Sequence, residues 1–202
     1  MKRLVLAGMV AALMMLAPKA ADAAIVIDFG TGLNAAAGNF TLLGGGNASG
    51  SGIPIGSLTF DNNGVSTVWA ANAVLSFNTV TNFISIVGGV PALNIAAGTT
   101  LLSGTFTGWI ADANGLHNAI GPDAKSAALL TALGLPTNTQ FQYFGFSLTS
   151  SCTSGPVGPC TSWTVISTDI KNTAVPEPGT MVLLGTGLLG LATITRRRMR
   201  KA

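Results

Sequence analysis

Between residues 24 and 171 apolar residues recur mostly at every second position, with Gly, Asn and Pro between the runs. In QYFGFSL, Phe144, Phe146 and Leu148 fall on one face. In LLSGTFTGWI, Leu102, Phe106 and Ile110 do the same, opposite Ser103, Thr105 and Thr107. A period of two sends alternate side chains to opposite faces of a strand, and apolar–polar alternation marks one buried and one wet face. The pattern predicts strands over 24–29, 39–43, 56–60, 65–69, 73–78, 82–87, 100–110, 140–148 and 162–170. Short strands punctuated by turn residues imply a mainly β fold, an antiparallel β-sandwich of jelly-roll type with about eight to nine strands.

Two stretches depart from this period. GPDAKSAALLTALGLP places Pro122 at a first helical position, Asp123 in the first turn, and Gly134 and Pro136 as a stop, which predicts one short helix near 122–133. Leu129, Leu130 and Leu133 give it an apolar side. LLGGGNASGSG, residues 42–52, has the composition of a flexible loop.

Both ends carry continuous apolar runs instead. After Met1-Lys2-Arg3, residues 4–17 are apolar, and Ala21-Asp22-Ala23 supplies a small-residue cleavage pattern. This is a secretory signal peptide over 1–23, with cleavage expected before Ala24. At the other end, residues 181–195 form a second apolar stretch, expected as a transmembrane helix of roughly 22 Å, short of the ~30 Å hydrocarbon core. The expected organisation is a signal peptide (1–23), an all-β domain (24–171), a linker with Pro-Glu-Pro (172–180), a membrane-spanning sorting helix (181–195) and a basic tail (196–202).

The charge distribution changes the picture more than the formal net charge of +3 suggests. Eight of the ten basic residues lie in the ends: Lys2, Arg3, Lys19, Arg196, Arg197, Arg198, Arg200 and Lys201. Residues 24–174 hold five Asp, two Lys and neither Arg nor Glu, a net −3. Nucleic-acid binding needs clustered Lys and Arg to neutralise phosphates, and this body has none to offer. Ser, Thr and Asn make up 46 of those 151 residues, a hydrated but weakly charged surface suited to an extracellular setting. Five positive charges between 196 and 201 keep that end cytoplasmic and put the body on the far side of the membrane. Cys152 and Cys160, which flank seven residues rich in Gly and Pro, read in an exported chain as a disulfide-closed loop. Such a ring restrains the unfolded chain by roughly 2–3 kcal/mol.

Candidate chemistry is sparse. Gly185-Thr186-Gly187-Leu188-Leu189-Gly190 matches the dinucleotide fingerprint in letters, but it lies in the apolar tail and lacks the strand–helix context and the downstream acid. Asp61-Asn62-Asn63-Gly64 and Asp112-Ala113-Asn114-Gly115 offer oxygen ligands for Ca²⁺, yet Asn-Gly and Asp are also what hairpin turns require, and neither segment has a full ligand series. His117 is the only histidine, without a nucleophile motif around any Ser. Trp69, Trp109, Trp163 and Tyr143 are either core aromatics or a stacking platform for sugars.

Val175-Pro176-Glu177-Pro178-Gly179-Thr180, an apolar stretch and Arg196-Arg197-Arg198 together resemble the PEP-CTERM sorting signal, over residues 175–201. The resemblance implies a Gram-negative, exopolysaccharide-producing source and an exosortase, a membrane cysteine protease that recognises and cleaves the tail. It carries Pro176, Glu177 and Pro178 over as recognition positions, and Arg196, Arg197 and Arg198 as the terminal basic element. It says nothing about the body, since proteins with this tail have varied bodies. The expectation is therefore an exported cell-surface or extracellular-matrix protein, non-enzymatic, structural or adhesive, with no cofactor and no metal. Its expected partners are the membrane, transiently, the exosortase-type protease and exopolysaccharide, but not nucleic acid. A carbohydrate-binding module would require two or three aromatics on one exposed face. A hydrolase would require His117 within hydrogen-bond reach of a Ser or Asp.

Overall fold

The computed structural model describes residues 25–32, 38–112, 115–153 and 160–175. The signal peptide, the Pro-Glu-Pro residues, the apolar stretch and the arginines lie outside these. Residues Ala24–Val175 form one compact unit.

Eleven strands, all antiparallel, make one sheet: β1 (Val26–Gly30), β2 (Gly38–Leu43), β3 (Asn47–Asn62), β4 (Val65–Asn78), β5 (Phe83–Val90), β6 (Ile95–Thr105), β7 (Gly108–Ala111), β8 (Leu116–Gly121), β9 (Asp123–Lys125), β10 (Phe144–Cys152) and β11 (Ser162–Thr173). A single helix, α1 (Ala127–Ala132), connects β9 to β10. Three pairs of strands are halves of longer ones. β1 and β2 both lie between β11 and β3, β1 beside 169–173 and β2 beside 162–165 of β11. β6 pairs β9 and β7 pairs β8. The gap between these two ladders is bridged by Thr105 N–H donating to Pro122 O (3.0 Å) and Thr107 N–H to Ile120 O (2.9 Å). Since β8 also pairs β10, the sheet closes on itself with eight strand positions in sequence order. Closure removes the unpaired edges that an open sheet would present.

The expected mainly antiparallel β domain is present, as one sandwich-like sheet of eleven strands instead of eight to nine. The jelly-roll order is not: the eight strand positions follow one another in sequence order, each beside its chain neighbour. At the β3–β4 hairpin Asn63 (φ 59°) and Gly64 (φ 80°) both take positive φ, the two-residue turn that matches strand twist. Asp61 Oδ1 accepts a bond from Gly64 N–H at 2.9 Å.

The interior is apolar. Phe29, Phe40, Phe77, Phe144 and Phe146 are its largest fully buried side chains, packed with Ile27, Ile53, Ile55, Leu58, Leu75, Ile84 and Ile86. This inverts the arrangement of a membrane-spanning barrel, whose lumen is polar and whose outside is an apolar band.

Several expectations need correction. Residues 42–52 are not a flexible loop but the end of β2, a three-residue 3-10 turn and the start of β3. The strands expected over 65–69 and 73–78 are one strand, β4. The helix does not begin at Pro122: Asp123 lies in β9, and Ser126 caps α1 by accepting from Leu129 N–H (3.2 Å). Ile110 does not share a face with Leu102 and Phe106. It is 69% exposed, while Trp109 turns inward, because the strand breaks phase at 106–107. The sheet also runs past the expected boundary at Lys171, with β11 continuing to Thr173 and Ala174 bridging Phe141.

Candidate functional site

Cys152 and Cys160 are joined by a disulfide across the β10–β11 connection. Cys160 packs against the core, so the bridge ties the rim of the barrel to its interior.

His117 does lie within reach of a serine. Its Nε2 is 3.1 Å from Ser150 Oγ, and Ser150 Oγ–H is 3.1 Å from Gly115 O. The pair arises because β8 and β10 both turn these residues inward. His117 is fully buried, with its ring parallel to Trp109 and edge-on to Phe40 and Trp163. Nδ1 is buried without a hydrogen-bond partner. A catalytic triad needs an acid on that atom to fix the tautomer. Here the tautomer that uses both protons places one on Nε2, donating to Oγ, and lets the hydroxyl donate to Gly115 O. The other tautomer would orphan a buried N–H, which is costly. In the first, the imidazole gives a proton to the serine instead of taking one. Burial also holds the His117 pKa below its ordinary value, with the Asp112 charge opposing, so the ring is neutral in neutral solution.

The aromatic residues do not form a platform. Trp163 is buried, Trp69 and Trp109 pack half-buried against the core, and of the four only Tyr143 is exposed. Trp109 Nε1–H donates to Gly46 O at 3.0 Å, securing the polar end of an otherwise apolar ring.

Sequence reasoning missed the densest polar cluster. Lys125, Asp123 and Asn172 meet between β9 and β11. The Lys125 and Asp123 side chains are wholly buried and form an ion pair. Lys125 Nζ also donates to Asn172 Oδ1 (2.6 Å). Asn172 Nδ2 donates to Asp123 Oδ1 (2.9 Å) and to Gln142 O (3.1 Å). Lys125 Nζ sits 5.1 Å from the centre of the Phe141 ring. Burial pushes the carboxyl pKa up and the amine pKa down, drawing both toward neutrality against their mutual attraction. The one available signal was that residues 24–174 hold only two lysines.

On the outer face, Asp28 of β1 lies beside Asp169 and Lys171 of β11. Burial first, then the hydrogen bond to and the charge of Asp169, raise the Asp28 carboxyl to about 7, with Lys171 pulling it down.

The chain end is where fold and address meet. Ala174 N–H donates to Ile25 O (2.8 Å) and Val175 N–H to Gln140 O (2.9 Å), the last backbone bonds of the domain. Pro176-Glu177-Pro178 follows at once. A closed β domain running directly into a Pro-Glu-Pro segment, an apolar stretch and an arginine run defines a folded cargo with a C-terminal sorting tail. A family model of the PEP-CTERM protein-sorting motif matches residues 174–198, and the tail is that motif, which implies processing by an exosortase. No curated protein and no solved structure matches the chain.

Proposed function

We propose that this is an exported, non-enzymatic protein of the cell surface or extracellular matrix, anchored in the inner membrane by its tail until an exosortase-type protease removes it. The observation that carries this reading is the sorting motif at 174–198, which begins within one residue of the end of β11. A domain whose last backbone bond is made by Val175 can fold whole outside the membrane, and Pro176 and Pro178 disfavour helix in the recognition segment that follows. A structural or adhesive role is supported by the weakly charged, hydroxyl-rich body and by the enclosure of His117 among Phe40, Trp109 and Trp163. Contact with exopolysaccharide, on this reading, runs through outward Ser, Thr and Asn groups such as Ser147, Thr164 and Asn72. Ring stacking would need the tryptophans, which face inward.

The test is a transplant. Residues 172–202 fused to an unrelated exported protein should be clipped in a host with an exosortase and stay full-length in the membrane of a host lacking it. A fusion left intact in both hosts would overturn the proposal.

A further inference from the structure

The buried Lys125–Asp123–Asn172 cluster has the geometry of a reaction centre for the protein's own chain. Its two nitrogens, the Lys125 amine and the Asn172 amide, are each held by one oxygen of the same carboxyl: Oδ2 of Asp123 faces Nζ, and Oδ1 accepts from Nδ2 at 2.9 Å. The amine is 2.6 Å from the amide oxygen, so the amide carbon, one covalent bond further, is within its reach. Water is excluded: the Lys125 and Asp123 side chains are wholly buried and Asn172 is 1% exposed.

We propose that Lys125 and Asn172 join in an intramolecular isopeptide bond, with Asp123 as the proton carrier. The neutral Lys125 Nζ attacks Cγ of Asn172, forming the Nζ–Cγ bond. Asp123, in its protonated form, donates to the amide and takes up the proton that Nζ sheds. The Cγ–Nδ2 bond breaks and Nδ2 leaves with that proton as ammonia. Amine plus primary amide become secondary amide plus ammonia, so the step needs no oxidant, reductant or activated co-reactant. Burial supplies what the step requires. It shifts Lys125 toward the uncharged, nucleophilic amine and Asp123 toward the protonated carboxyl, against their mutual attraction, and the sheet holds the reactants side by side. The Gln142 carbonyl, 3.1 Å from Nδ2, holds the amide in register.

The site also has a mechanical logic. The bond would close a 47-residue span and fasten β11 at Asn172, immediately before the motif through which the chain is tethered. Tension on the tail would then pass into β9 through a covalent bond instead of peeling β11 from the barrel.

The test uses the full chain as exported and purified. Lys125 and Lys171 are the only tryptic sites between residues 24 and 174. An isopeptide-linked Lys125 resists trypsin, so the denatured, reduced protein should yield no free 126–171 fragment. It should yield instead a branched peptide joining Lys125 to the peptide that begins at Asn172, lighter than its parts by one ammonia. Release of 126–171 in full yield would overturn the proposal, as would loss of ammonia without the branched peptide. Asp123→Asn, checked for the intact disulfide and a β-type circular dichroism spectrum, should lose the branched peptide. A branched peptide at wild-type yield in that variant would remove Asp123 from its role.

Discussion

Ser150→Ala separates a structural serine–histidine pair from a catalytic one by the sign of its effect. The substitution removes the oxygen that accepts from His117 Nε2–H and leaves that donor buried in an aromatic enclosure. Gly115 O keeps its second donor, the Ser150 backbone N–H at 2.8 Å, so one group is orphaned, not two. Leaving one buried donor unsatisfied costs about 1–3 kcal/mol. Residues 24–175 should therefore lose about 2 kcal/mol, which for a domain of this size lowers Tm by roughly 4–8 °C. The assay is urea unfolding of the disulfide-intact domain, with an unchanged slope showing that the unfolded state is not altered. Ser151→Ala is the control: the same substitution at the next, exposed position should move stability by less than about 0.5 kcal/mol. Catalytic groups are commonly held at a cost to stability, so a working nucleophile would give an unchanged or stabilised Ser150→Ala variant. That result would refute the assignment of His117 as a packed, proton-donating core residue.

Two further outcomes follow from the core and the outer face. Phe77→Ala, which removes a ring lying within 6.3 Å of the Phe40, Phe106, Trp109 and Phe146 rings, should cost about 3–5 kcal/mol in the same assay. Tyr143→Ala, at an exposed site, should cost little, and equal losses would contradict the closed interior. Asp28→Asn should raise Tm at pH 8 and leave it unchanged near pH 4. The folded carboxyl keeps its proton up to about 7 while the unfolded one ionises near its ordinary value, so native Asp28 opposes folding increasingly across that window. An equal shift at both pH values would show that ionisation of the buried Asp28 carboxyl is not responsible.

The legible parts of the fold were those whose inward positions are large and apolar. β10 was readable because Phe144, Phe146 and Leu148 all point inward. β8 was missed because its pattern is inverted: His117, Ala119 and Gly121 face in, while Leu116 and Ile120 face out. Its inward groups are small or polar because the interior at this point is already occupied. Gly121 comes so close to the Thr105 carbonyl that a Cβ there would overlap it. The start of β3 looked like a loop because its inward residues are Ala48 and Gly50. Gly50 makes room for the Phe77 and Phe40 side chains, so the apolar mass under this strand comes from its neighbours. The sorting motif was legible because it is local and linear. The Lys125–Asp123–Asn172 cluster was not, because its parts lie 47 and 49 residues apart and meet only when the sheet closes.

The sorting motif makes the tail an address to be read and removed, not a permanent anchor. Replacing Pro176, Glu177 and Pro178 together by alanine removes two helix-disfavouring prolines and the only glutamate in the chain, while leaving the export signal untouched. The measurement is the intact mass and the cell fraction of each protein in a host that has the exosortase. Wild type should lose the apolar segment with residues 196–202 and appear outside the cell, while the triple variant should be exported but stay in the inner membrane at full tail length. Equal tail removal in both, or none in either, would contradict that role of the tail.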